Sequence, residues 1–465
     1  MKLLPIAAGC AFSVLLSGGC MVGPKYTRPA VDVPAVYSQA SNPDTLALVK
    51  WFDLFHDTVL QQIIHTTLQN NRDLLTTTAR IDETRFIVSI ARANIYPALN
   101  YNITGGGGKA GSDAEKVAAG FNSGYLNAGV QLNWEVDLWG RLRRAKRASQ
   151  RQLMAETDNR NAVLTSLVAQ TATTYFLLLD LDNQLLISRR TLESRKERTR
   201  INMARFEKGY SSEIDMLQAK QQEAVAAAST AGLQRQIIAV ENNLRLLMGE
   251  GPGHIARGDS LYHQVLPPDI PTGLPSQLLR RRPDIRSAEE VLQSQFEQIG
   301  IAQANLFPTL SLTGVLGFAS PQLSSLVSSN GFVANGFAGL FGPLFQFNRN
   351  KDLVGAAKER TKQAAYQFEQ TVLIALGEVD NALADARNLA SEYEYLNQQV
   401  DASARALALT VARYDYGYSS YTEVLIEENS LFDAELLASS VYQQRLAAIV
   451  NLYRALGGGW EVDSF

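Results

Sequence analysis

The chain of 465 residues is a tandem duplication, and each half must therefore be able to build the same unit. ARANIYPAL at 91–99 returns as AQANLFPTL at 302–310, and NNRDL at 70–74 lines up with RRPDI at 281–285, both at an offset of 211. ARFEKGYSSEIDML at 204–217 returns as ARYDYGYSSYTEVL at 412–425, at an offset of 208. LRLLMG at 244–249 is matched by NLYRALGG near the C-terminus. The three-residue change falls between the Pro97/Pro308 and GYSS motifs, where a loop has shortened. The halves meet in the Pro- and Gly-rich stretch 249–273, which reads as a linker.

Proline placement sets where long helices can run, because proline breaks helix interiors. None occurs between Pro97 and Pro252, and none after Pro343. Leu164, Leu167, Thr171, Thr174, Leu178, Leu181, Leu185, Ser188 and Leu192 alternate steps of three and four, a heptad seam. A helix over 140–206 is roughly 100 Å long at ~1.5 Å per residue, and 349–414 predicts its counterpart. Shorter helices are expected at about 58–96 and 212–248, then 276–306 and 420–457. Paired end to end, they would cover each long helix in a coiled-coil column. No internal run of about 18 apolar residues predicts a transmembrane helix.

Between Pro97 and Gly140 the period falls to two. Leu126, Ala128, Val130, Leu132, Trp134 and Val136 alternate with Asn127, Gly129, Gln131, Asn133 and Glu135. Strands are expected at about 98–108 and 122–136, then 309–318 and 332–345. They alternate as a soluble sandwich would, but are also about the ten residues that a tilted spanning strand needs. Four strands cannot close, and open edges are not tolerated in lipid, so a membrane barrel here needs several chains.

MKLLPIAAGCAFSVLLSGGC at 1–20 has a Lys, an apolar core and small residues before a cysteine, which marks residues 1–19 as an export signal. Cys20 is then the only cysteine left, in the position of a bacterial lipoprotein's lipid-bearing first residue, although Ser17 stands where such signals usually carry Leu. Acylation would anchor the chain in a membrane.

With CMVGPKYTRP at 20–29, WFDLFHDTVLQQII at 51–64, WEVDLWGRLRRA at 134–145, ANLFPTLSLTG at 304–314 and NLYRALGGGW at 451–460 added to the repeats, the sequence resembles the TolC-like outer-membrane efflux proteins, in their lipoprotein (NodT) branch. The resemblance implies a mainly α protein with membrane β: a homotrimer with one shared twelve-stranded barrel, four strands per chain, continued by a long periplasmic α-helical coiled-coil barrel. The chain would divide into a lipidated extended segment (20–57), a first repeat (58–248), a linker (249–275), a second repeat (276–457) and a tail (458–465). It implies an outer-membrane exit duct of a tripartite pump, working with a periplasmic adaptor and an inner-membrane transporter of the RND type. No cofactor, enzyme activity or nucleic-acid partner is implied.

Each GYSS then ends a long helix at its periplasmic turn. Gly209 and Gly417 suit the left-handed conformation that closes a helix. Ser212 with Asp215, and Ser420 with Glu423, fit capping boxes. The resemblance implies adaptor docking by Arg205, Gly209, Tyr210, Ser211 and Ser212, with Arg413, Gly417, Tyr418, Ser419 and Ser420. It implies a periplasmic gate near Asp215, Tyr414, Tyr416, Thr422, Glu423 and Glu427. Ile426 stands where relatives often carry an inward Asp and Asn429 where an Arg is common, which argues against a simple ion-pair latch.

GGGGKAGS at 105–112 is not a phosphate loop, because its Lys precedes Ala and it joins two strands. His56, His65, His254 and His263 lack ligand spacing and read as surface or turn residues. RLRRAKR at 141–147 reads as a solvated helix start. A net charge of −3 carries no nucleic-acid footprint. A diffusion porin would need far more strand; an envelope-tethering coiled-coil lipoprotein would have no amphipathic strands and no pore.

Overall fold

The structure, a computed structural model, describes residues 21–35, 56–106, 125–264, 275–320, 326 and 331–458. The export signal, Cys20, the far C-terminal tail and parts of the hairpin loops and linker lie outside them. The chain divides into two compact units. One comprises Met1–Ala30, Arg80–Thr157 and Ser287–Glu369; the other comprises Val31–Ala79, Asp158–Arg286 and Gln370–Phe465.

The duplication is visible element by element. In chain order the described elements are α1 (Thr58–Asn70), α2 (Arg72–Ala93), β1 (Ala98–Gly106), β2 (Tyr125–Val136), α3 (Arg141–Glu207) and α4 (Glu213–Leu247). Then follow α5 (Pro275–Arg281), α6 (Pro283–Ala304), β3 (Thr309–Ser320), β4 (Phe332–Phe341), α7 (Arg349–Asp415) and α8 (Tyr421–Ala455). Helices α3 and α7 each have 67 residues, α4 and α8 each 35, and α2 and α6 each 22. The offset is 211 up to β1/β3 and 208 from α3/α7 onward, which puts the missing residues in the strand hairpin.

Two expected helices are broken. The stretch 58–96 divides at Asn71 and 276–306 at Arg282, equivalent positions in the repeat. Asn71 leaves the helix to cap the next one: its Oδ1 accepts from the amides of Asp73 (3.0 Å) and Leu74 (3.1 Å), and its Nδ2 donates to Leu247 O. Arg282 precedes Pro283, whose ring disfavours helical backbone at the residue before it and starts the next helix well. Strand β4 ends at Phe341 rather than near 345, because Gly342-Pro343 follows and Pro has no amide to continue a ladder.

The first unit holds a four-stranded antiparallel sheet in the order β1-β2-β3-β4. Its register lines up one apolar face. Tyr101 sits opposite Val130, Val130 opposite Leu316 and Leu316 opposite Ala334; Trp134 sits opposite Leu312 and Val136 opposite Leu310. The other face carries Asn100, Gln131 and Asn335, with Val315 among them. Leu99, Tyr101, Ile103, Leu316, Phe332 and Leu340 are exposed. A soluble sandwich would bury such a face. Here it is exposed.

The basic run starts α3 as expected but is only partly solvated: Arg147 is exposed, whereas Arg144 is buried. Arg141 pairs with Glu135 (2.7 Å), Arg143 with Asp137 (3.1 Å) and Arg144 with Glu297 (2.8 Å). Asp137 also accepts from the amides of Leu142 and Arg143, so it caps α3. The carboxylates come from the strand end and from α6, which sequence adjacency alone does not show.

In the second unit the core lies along α3. Leu164, Leu167, Thr171, Leu178, Leu181 and Ser188 of the seam are buried, but so are Val168, Ala172, Tyr175, Phe176 and Leu179. Residues of α1, α4 and α8 complete the cluster, including Leu60, Ile64, Leu244 and Leu446. Contrary to the reading by apolar runs, one 18-residue window of α3 is long and apolar enough to cross a membrane. Of that window 61% is buried within the protein, which is how a core helix behaves.

Candidate functional site at the hairpin turns

The four residues GYSS each have a separate task. At the end of α3 the amide of Tyr210 donates to Arg205 O (2.8 Å) and that of Gly209 to Phe206 O (2.9 Å). At the end of α7, Tyr418 donates to Arg413 O (2.8 Å) and Gly417 to Tyr414 O (3.0 Å). These paired bonds are the Schellman closure, which requires a left-handed residue; Gly209 has φ +75° and Gly417 φ +81°. The first serine reaches back along the long helix: Ser211 Oγ donates to Asn202 O and Ser419 Oγ to Thr410 O. The second caps the returning helix. Ser212 and Asp215, and Ser420 and Glu423, form complete capping boxes. The tyrosines are the remainder, with Tyr210 81% and Tyr418 77% exposed.

Several residues expected at the gate have structural duties. Asp215 and Glu423 are the capping carboxylates. Tyr414 is half-buried; its hydroxyl donates to Asn202 Oδ1 (2.8 Å), and Arg205 lies 5.0 Å from its ring centre. Arg205 also pairs with Asp415 (3.5 Å), while Arg413 reaches Tyr418 O within its own turn (3.4 Å). The two arginines are thus equivalent in sequence and not in use. Tyr416, Thr422 and Ile426 are exposed, and Glu427 is half-buried.

The residues that join the hairpins lie one step beyond the heptad seam as read from sequence. Continuing its alternation past Leu192 gives Arg195, Thr199 and Asn202, and all three are buried. Arg195 donates to Gln222 O (3.1 Å) and to Asn429 Oδ1 (2.7 Å), and its guanidinium stands 5.5 Å from the Phe432 ring. Arg198 pairs with the buried Glu428. Burial pushes the Glu428 carboxyl upward, against the attraction of Arg198 and Arg195, and lowers Arg195. Tyr421, packed with Val424 and Leu425, is pushed up to about 12 by burial. Farther along α3, Asp180 accepts from Ser439 Oγ (2.5 Å) and Gln184 Nε2 (2.7 Å); burial raises its carboxyl to about 6 despite those bonds. The seam therefore changes from apolar to polar towards the turns. Polar contacts can be exchanged for water, whereas the apolar section cannot open without exposing its core.

A sheet with an unburied apolar face, joined to duplicated helical hairpins of 67 and 35 residues, defines the class of outer-membrane channels with periplasmic helices. The chain belongs to the outer membrane efflux protein family, whose profile matches residues 63–250 and 274–458. It is 30% identical to the cation efflux system protein CusC of Escherichia coli O157:H7 over 473 residues, covering 99% of each. It is 29% identical to the probable outer membrane lipoprotein SilC of Salmonella typhimurium, again over 99% of each. Among solved structures, the open state of the Neisseria gonorrhoeae MtrE outer membrane channel is 31% identical, with a TM-score of 0.85 over 95% of this chain and 99% of that one. The protein is an outer-membrane efflux channel, and its family works as trimers in tripartite pumps.

Proposed function

We propose that the paired turns dock a periplasmic adaptor and that the polar section of the helical seam is the gate. The observation that carries docking is the pair of tyrosines displayed on two rigid, equivalent turns. Schellman closure and capping box fix the backbone on both sides, so each ring is presented at low entropic cost, as a preorganised contact should be. Three chains would present six such turns in a ring, matching a ring of adaptor hairpins.

For the gate, the support is the set Arg195–Asn429, Arg198–Glu428 and Tyr414–Asn202, which ties α7 and α8 to α3 within the chain. Adaptor binding would be needed to exchange these contacts for water. Glu427 and Glu423 stand at the same end, and acidic groups at an entrance favour cations. The transporter would be of the RND type. Cargo is proposed only as a class, drugs or other toxic compounds including metal ions. Cys20 would carry the lipid; two residues further on, the amide of Val22 bonds to Trp139 O (3.0 Å), just past β2.

Replacing Tyr210 and Tyr418 by Asp tests the docking. The variant should reach the outer membrane as a trimer with unchanged single-channel conductance, yet lose export in cells. Export at the wild-type level would refute it. Separately, Glu423→Gln with Glu427→Gln should lower cation selectivity in bilayer recordings, and an unchanged reversal potential would count against the acidic entrance.

A further inference from the structure

The duplication makes one contact inside the chain a template for a contact between chains. Trp139, just past β2, lies on the lead-in to β3: its indole stacks on Phe307 with ring centres 4.7 Å apart, and its Nε1 donates to Pro308 O (2.7 Å). This is where the first repeat grips the second.

The equivalents are read directly from the offsets. Phe347 corresponds to Trp139, at 208, and Tyr96-Pro97 corresponds to Phe307-Pro308, at 211. In the chain they do not meet. Phe347 follows β4, at one edge of the sheet, and Tyr96 precedes β1, at the other. Both rings are exposed, Phe347 at 84% and Tyr96 at 60%.

The backbone at Phe347 is also unusual. Phe347 and Asn348 are consecutive left-handed residues, φ 46° and 64°, and are the only positive-φ residues other than Gly among those described. In the first repeat the matching turn has Gly140 with φ 81°. A bulky aromatic residue in that region is a strained conformation that persists only when something holds it.

We propose that Phe347 of one copy stacks on Tyr96 and Pro97 of the next, repeating between chains the Trp139–Phe307–Pro308 contact. The inference rests on the trimeric reading and adds to it the residues that lock the ring. It is heterologous, second repeat to first repeat, so successive copies close a ring, and it joins the two open sheet edges as closure in lipid demands.

The test uses the full-length channel in detergent, carrying Tyr96→Cys and Phe347→Cys, treated with a short bismaleimide. Trp139→Cys with Phe307→Cys calibrates the reagent within one chain, and the unaltered protein controls for Cys20. The expected result is covalent dimers and trimers for the first pair and thiol loss at monomer mobility for the second. A trimeric native mass with no link between chains, while the calibration pair reacts, overturns the lock but leaves the trimer standing. A monomeric native mass for the unaltered protein overturns the trimer and the lock with it. If the double variant fails to assemble, Phe347→Trp decides: it restores the first repeat's residue and should raise the temperature at which trimers dissociate. No rise, or a fall, overturns the proposal.

Discussion

Replacing Asp180 by Asn should change the pH dependence of stability in a calculable direction. Asp180 is buried on α3, and its carboxyl is raised to about 6 from an ordinary 3.8. Burial is the main cause, and bonds from Ser439 and Gln184 oppose it. The folded chain therefore keeps this proton to higher pH than the unfolded chain does. Between about pH 4 and pH 6 the unfolded state binds fewer protons, so unfolding free energy falls as pH rises, then levels off. A shift of about two units corresponds to on the order of 3 kcal/mol per chain lost across that window. Asn cannot ionise, and its carbonyl can still accept one of the two bonds. The wild type and Asp180→Asn should be unfolded by denaturant at pH 4 and pH 7.5, at equal ionic strength. The variant should gain on the wild type by about 2–3 kcal/mol between the two pH values. An equal offset at both would mean that the carboxyl titrates alike in the folded and unfolded chain, and the burial argument would fail.

Other outcomes follow from the turns and the polar seam. Gly209→Ala and Gly417→Ala meet no neighbouring atom, so only the left-handed backbone opposes them; each should cost about 1 kcal/mol in a thermal or denaturant scan. Ser420→Ala removes a complete capping box and should cost about 1 kcal/mol, with faster amide exchange confined to the first turn of α8. Arg198→Met leaves the Glu428 carboxylate buried beside Arg195 alone and should destabilise by several kcal/mol. Glu428→Gln should cost less, and combining it with Arg198→Met should recover part of the loss. A double variant weaker than Arg198→Met would contradict that order.

Much of this architecture was legible as pattern. Proline spacing and the two matched GYSS turns located both 67-residue helices to within a residue or two, because the boundaries are set by local chemistry: a Gly that turns left-handed and a Ser that caps. Strand alternation identified β2 for a similar reason. The breaks at Asn71 and Arg282 were missed although their letters were visible: Asn71 caps the nearby amides of Asp73 and Leu74 and is also held by Leu247 O, far away in the chain, and Pro283 follows Arg282. The polar end of the seam was missed for a different reason. Arg195 and Asn202 keep heptad spacing but not heptad hydrophobicity, so a search for apolar residues stops at Leu192.

The sequence by itself determined the duplication, the lengths of the helices, the turns that reverse them and the apolar face of the strands. All of these depend on residues within a turn or a strand of one another. Only the tertiary structure decided which charges are spent. Arg144 is consumed by Glu297, Arg198 by Glu428, and Arg205, unlike Arg413, by Tyr414 and Asp415 of the other long helix. A charge's free energy depends on what surrounds it in space, and burial and partners are properties of the packed chain that no spacing encodes.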